Sequence, residues 1–165
     1  SKEYRERGLF LHPRFSPGYG DFPLSCQPGI LDALEAGKRI GIKLTEGEKK
    51  APAVIHATYG AWMAEHKFGI QDEEILSAIR CHTTGKPEMS ILDKILYIAD
   101  YIEPRRNKAS NLDQIRYLAF QDLDQTMYEI LDGTLAYLKK KDVGIDPMTQ
   151  CAYEYFKGSL QPLKQ

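Results

Sequence analysis

The sequence predicts a mainly α-helical protein, an incomplete helical bundle preceded by a short irregular α+β segment. Three observations support this. From Pro52 to about Leu160 the apolar residues recur every three or four positions, as in helices with one buried face. Chain-breaking residues fall between those periodic stretches and not inside them. Residues 1 to about 45, in contrast, are rich in Gly, Pro and aromatics and carry no long period.

In the first segment, turn signals stand at Pro13, Pro17-Gly18, Gly20-Asp21 and Pro28-Gly29. Ile30, Leu31 and Leu34 fall at helical spacing with Gly37 placed to end a short helix, and Arg39 to Leu44 alternates apolar and basic residues as a strand does. Glu46 to Lys50 is charged and contains Gly, so it reads as a solvated linker. The expected organisation is therefore an N-terminal unit at 1–46, a linker at 47–51 and a helical unit at 52–160.

The helices of that unit follow in order. The first runs from about Ala53 to His66 and stops near Gly69. The second begins after Asp72, whose carboxylate can cap the amides, with Glu73 and Glu74 favoured by the helix dipole. It turns Ile75, Leu76 and Ile79 inward and leads to His82. The third spans about Ser90 to Ile102, with Ser90 as cap, Asp93 at the capping-box position and Pro104 beyond its end. A long fourth helix, Asn111 to Lys140, carries Leu112, Ile115, Leu118, Leu123, Met127, Ile130, Leu131, Leu135 and Leu138. The fifth starts at Pro147, a favoured first helical residue, and runs to about Phe156.

Bulk properties exclude several classes of partner. The 22 basic and 23 acidic side chains nearly cancel, so no global field draws in nucleic acid or an anionic membrane, and an anionic ligand must be caught locally. No apolar run approaches the roughly 20 residues that cross a bilayer, and the N-terminus lacks a basic stretch followed by an apolar one. A cytoplasmic location is expected. Cys26, Cys81 and Cys151 are scattered without a CxxC pair, which argues for reduced thiols and against a thiolate zinc site. The chain begins at Ser1 with no Met and reads as a fragment or a joined chain.

His56, His82 and Asp100 are candidate metal ligands. His56 lies on an otherwise apolar helix face one turn before Gly60; taken alone, such a residue is more often a core histidine with its hydrogen bonds satisfied. His82 precedes Thr83-Thr84-Gly85, whose hydroxyls and turn suit a phosphate or water contact, although a helix C-terminus also favours histidine for its dipole alone. Asp100 falls on the face that Leu92 and Leu96 mark as inward, where an unpartnered carboxylate costs several kcal/mol. A divalent metal held by imidazoles answers that need, and mixed nitrogen and oxygen ligands suit iron, manganese or zinc. Lys94, Arg105 and Arg106 follow close by, as plain surface charge or as a cationic clamp on phosphate oxygens.

The run from His56, HATYGAWMAEHKFGIQDEEILSAIRCHTTGKPEMSILDKILYIADYIEPRR, resembles the bacterial symmetrical diadenosine tetraphosphate hydrolases of the HD superfamily, the YqeK-type group. The resemblance continues through LAFQDLDQTMYEILDGTLAYLKKK to about Phe156, with HTTG and then M-x-x-LDKI-x-Y-x-ADYIEP as its specific part. It implies an HD-domain-like bundle. It implies that His56, His82 and Asp100 are metal ligands, iron first and manganese second, and that Thr83, Thr84, Lys94 and Arg106 surround the polyphosphate. Members of that family also use a histidine on an earlier helix and an adjacent His-Asp pair to complete a dinuclear centre. This chain has four histidines and none is followed by Asp, so the implied site is incomplete.

Leu9 to Glu46 (LFLHPRFSPGYGDFPLSCQPGILDALEAGKRIGIKLTE) resembles the reactivation domain of cobalamin-dependent methionine synthase, with Arg14, Gly18 and Tyr19 standing at its Arg-x-x-x-Gly-Tyr signature. That resemblance implies S-adenosylmethionine as ligand, Arg14 pairing its carboxylate and Gly18 admitting it to the backbone. It breaks at Gly47, shortly before the run from His56 that carries the other, as in a fusion or joined chain. The leading functional expectation is metal-dependent hydrolysis of a dinucleoside polyphosphate, a nucleotide small molecule, to nucleoside diphosphates. The rivals are an S-adenosylmethionine-binding module and a non-catalytic helical association domain. Apolar surface left by the missing helices suits a homodimer in the last case.

Overall fold

The computed structural model describes residues 41, 43, 45–50, 54–104 and 111–160, and among them it contains seven α-helices and no strand. The short helix and strand expected at 30–44, and the Arg14, Gly18 and Tyr19 signature, lie outside or almost wholly outside the described residues.

Helix α1, Glu46–Lys50, occupies the stretch expected as a linker. The cause is a reciprocal cap: Glu48 N–H donates to Thr45 Oγ1 at 3.2 Å, and Thr45 N–H donates to Glu48 Oε2 at 2.7 Å. Glu48 is buried and also accepts from the Thr58 hydroxyl of α2 (Ile55–Phe68), so this charge is not in solvent. Gly47 is required by close approach, because a Cβ there would meet Asp146 Oδ2 at 2.5 Å.

Helix α2 ends at Gly69 in the left-handed conformation, φ 70°, and buries Ile55 and an alanine face of Ala57, Ala61 and Ala64. Helix α3, Glu73–Cys81, is capped by Asp72, which accepts from the Glu74 and Ile75 amides at 2.9 and 3.3 Å. Its inward residues are Leu76, Ala78 and Cys81; Ile75, expected inward, is 39% exposed. Helix α4, Ile91–Tyr101, carries the expected capping box of Ser90 and Asp93.

The fourth predicted helix is two helices, α5 (Leu112–Leu118) and α6 (Leu123–Lys141). Asp122 divides them. Its backbone is extended and its carboxylate accepts from the Asp124 and Gln125 amides at 2.9 and 3.0 Å, so it starts a new helix and does not continue the old one. Helix α7, Pro147–Ser159, begins as expected, capped by Asp146, and ends beyond Phe156.

The helices pack as a chain of neighbours: α2 on α3, α3 on α4, α4 on α6, and α5 and α7 on α6. The core lies where α4, α6 and α7 meet, with Tyr97, Ile98, Met127, Ile130, Leu131, Ala152 and Phe156 buried together, and Cys81 and Met89 closing it towards α3. Full burial of a side chain such as Phe156 contributes about 1.5–3 kcal/mol. No helix among the described residues is long and apolar enough to cross a membrane.

Candidate functional site

The site is built where α3 ends. Gly85 closes the turn after α3, its N–H donating to Cys81 O at 2.8 Å with φ at +67°. Gly85 is buried, and a Cβ there would lie 3.2 Å from Ala152 Cβ on α7. Helix α7 therefore presses directly on the turn that carries His82 and Thr83.

His82 Nδ1 lies 2.7 Å from the Ile79 carbonyl. A carbonyl only accepts, so Nδ1 carries the proton and Nε2 is left with its lone pair outward. That Nε2 is 3.2 Å from His56 Nε2 on α2, the rings meeting edge to face at 71°. Thr83 Oγ1 is also 3.2 Å from His56 Nε2. Two imidazole nitrogens each bound about 2.1 Å from one cation, at an angle of roughly 100°, stand about 3.2 Å apart, so the pair has the spacing of two adjacent ligands. The Nδ1–carbonyl bond of His82 fixes the orientation of its ring, as outer contacts do for imidazoles that bind metals.

The other expected residues are placed differently. Asp100 is half-buried on α4. The buried side of α4 is formed by Asp93, Tyr97, Ile98 and Tyr101, whereas Leu96, expected to mark the inward face, is 37% exposed. Among the described residues no group of three or more His, Cys, Asp or Glu side chains converges as a metal cluster. The Thr84 hydroxyl donates to the Gly85 carbonyl at 2.9 Å. Lys94 points to α6, with its Nζ 2.5 Å from Asp124 Oδ1, and to the Phe156 ring of α7. Arg106 lies outside the described residues.

The fully buried carboxylate of α4 is Asp93, which sequence reasoning read only as a cap. It accepts from Ser90 N and from Ser77 Oγ of α3, each at 2.9 Å, and pairs with Lys86 Nζ at 2.9 Å. Lys86 also donates to Ser77 Oγ at 2.7 Å. The turn carrying His82 is thus clamped on both sides, by Gly85 against α7 and by Lys86 against α3 and α4. Burial pushes the Asp93 carboxyl up, but the hydrogen bonds from Lys86, Ser90 and Ser77 outweigh it and hold the carboxyl below its ordinary value. Burial, then the charge of Asp93, pushes the Cys81 thiol up to about 12.

The HD-domain family profile matches residues 32–105, beginning before the boundary expected at 46 and ending just past the predicted third helix. In fold, the chain superposes with a TM-score of 0.72 on a predicted HD superfamily hydrolase involved in NAD metabolism from Clostridium acetobutylicum, at 33% identity over 79% of this chain and 68% of that one. The chain belongs to the HD superfamily. This HD-superfamily chain is also 41% identical to the symmetrical bis(5'-nucleosyl)-tetraphosphatase of Bacillus subtilis, over 63% of its own length and 55% of the relative's. The corresponding protein of Staphylococcus aureus is 39% identical, over 67% and 58%. The chain thus spans little more than half the length of these relatives. Its homology to them is plain, and it comes without an adjacent His-Asp pair: His12, His56, His66 and His82 are followed by Pro13, Ala57, Lys67 and Thr83.

Proposed function

We propose that this chain is a metal-dependent phosphohydrolase of the symmetrical tetraphosphatase kind, cleaving diadenosine tetraphosphate to two ADP. The observation that carries the proposal is the His56–His82 pair, with its 3.2 Å spacing and the His82 tautomer fixed by Ile79. A divalent cation held there, iron or manganese, would polarise a phosphate oxygen and lower the pKa of water. His56 and His82 would hold it, and Asp100, which does not converge with them among the described residues, would have to approach the pair to serve as the carboxylate ligand. Thr83, one hydrogen bond from His56, is set to orient a phosphate oxygen at the same point. Thr84 would donate to a phosphate oxygen on turning its hydroxyl from the Gly85 carbonyl, and Lys94, on leaving Asp124, and Arg106 would supply the positive charge for the polyphosphate.

The test is metal uptake and turnover in the purified chain. With iron or manganese supplied, the wild type is expected to bind metal and to release ADP from diadenosine tetraphosphate. Loss of an outer contact to a metal ligand costs roughly 10–100-fold in affinity or activity, so His82→Ala and His56→Ala, which remove the ligands themselves, should each cost about 100-fold or more. Equal metal uptake by the wild type and both variants would refute the assignment of the pair.

A further inference from the structure

Beside the imidazole pair, helix α2 carries three aromatic rings that none of the roles above employs. Tyr59 and Trp62 are parallel within 8° with centroids 6.5 Å apart, and Trp62 and His66 are parallel within 9° at 4.5 Å. The His66 ring is fixed in that orientation by its Nδ1, 3.1 Å from the Trp62 carbonyl. Since Ala57, Ala61 and Ala64 form a buried face, the helical period puts Tyr59, Trp62 and His66 on the opposite side of α2. Tyr59 and Trp62 are half-buried and His66 is exposed.

We propose that these rings form a base-stacking platform, receiving the purine of a nucleotide whose phosphates lie at the His56–His82 pair. The inference rests on the phosphohydrolase reading and specifies how its substrate class is held. A helix rises 1.5 Å per residue, so Tyr59 and Trp62 stand about 4.5 and 9 Å along the axis from His56. That is the scale of the separation between a nucleotide's 5'-phosphate and its base. Rings already parallel need no rearrangement for a base to join their stack, and stacking of this kind tolerates any base while favouring the larger purine surface. The pair recognises phosphate; the platform recognises that a base is attached.

Trp62 is the single tryptophan of the chain, so its emission reports on the platform directly. The full chain is titrated with ADP, UDP and inorganic pyrophosphate, reading Trp62 fluorescence and, by calorimetry, affinity. ADP is expected to quench Trp62 saturably and to bind more tightly than UDP, and pyrophosphate to bind without quenching. Tyr59→Ala and His66→Ala should weaken ADP on the order of tenfold and leave pyrophosphate unchanged. His66 is exposed in the last turn of α2, so His66→Ala keeps the test informative if Tyr59→Ala does not fold. Equal affinity for ADP and pyrophosphate, no quenching by ADP, or an unaltered ADP affinity in His66→Ala overturns the platform. Because the readout is binding, a chain that hydrolyses diadenosine tetraphosphate without these effects refutes the platform alone, whereas ADP quenching without turnover refutes only the proposed activity.

Discussion

Replacing Asp93 by Asn tests whether the buried ion pair holds the His82 turn. The substitution keeps the shape, removes the charge and turns an amide towards three donors that now converge on the carboxylate: Lys86 Nζ, Ser77 Oγ and Ser90 N, each at 2.9 Å. Removing one partner of a fully buried pair costs about 3–5 kcal/mol. The Lys86 side chain is 35% exposed and its ammonium can turn to water, so the cost falls below that range. One charge-assisted hydrogen bond at about 1.5–3 kcal/mol plus a weakened helix cap gives about 2–3 kcal/mol. With a urea slope of about 1–3 kcal/mol/M, the unfolding midpoint should drop by roughly 0.7–3 M.

The acid limb carries an independent signature. The folded carboxyl titrates below its ordinary 3.8, so the stability it confers is whole above that pH and fades as the pH falls through the lower folded value. Asp93→Asn should lose this part of the pH dependence and no other. A double-mutant cycle with Lys86→Met should return a coupling of about 1 kcal/mol or more. An Asp93→Asn loss within about 0.5 kcal/mol, the range of an ordinary surface change, together with an unaltered acid limb, would sink the clamp.

Three further outcomes follow from single contacts. Gly85→Ala places a Cβ at φ +67° and 3.2 Å from Ala152 Cβ, while Gly69→Ala at φ +70° meets nothing within 4 Å. Both should cost about 1–2 kcal/mol for the left-handed backbone in thermal unfolding, with an excess at Gly85 that measures its contact with α7. Gly47→Ala drives a Cβ to 2.5 Å from Asp146 Oδ2 and should destabilise by about 1–3 kcal/mol, with lost amide protection at 45–50 and in the first turn of α7 by hydrogen exchange. In thiol labelling at neutral pH followed by peptide mass analysis, exposed Cys151 should react well before Cys81, whose thiol is pushed up to about 12.

What was legible in the sequence was local. The caps at Asp72 and at Ser90 with Asp93 are read correctly because a capping side chain bonds amides two or three residues away, and the start at Pro147 because a first helical residue needs no N–H of its own. The break at Asp122 escaped because Leu118 and Leu123 keep the apolar stripe running across it, and a single carboxylate decides the matter. The cap that makes α1 a helix, Thr45 with Glu48, was present in the sequence but masked by Gly47 and the density of charge around it. The facing of α4 failed for another reason. Its apolar stripe of Ile91, Ile95 and Ala99 is exposed among the described residues, while the side that packs carries Asp93 beside Tyr97 and Tyr101, so apolar periodicity points away from the buried side. The encounter of His56 with His82, 26 residues apart in sequence, is a product of how α2 packs on α3 and left no local trace.

The imidazole pair and the hydrophobic core are consequently one mechanical unit. His82 stands on a turn whose Gly85 touches Ala152, and Ala152 belongs to the core formed by α4, α6 and α7. The same turn continues to Lys86, which ties it through Asp93 and Ser77 to α4 and α3. A ligand pair must be held within about 0.5 Å to bind a cation well, and a loop alone does not supply that precision. Here the precision comes from packing on one side and a buried ion pair on the other, both remote from any ligand. Changes at Ala152 or Lys86, which touch neither imidazole in the contacts described, should therefore widen the 3.2 Å separation before they unfold the chain. In such variants metal affinity would fall faster than stability, whereas changes deep in α6 would lower the two together.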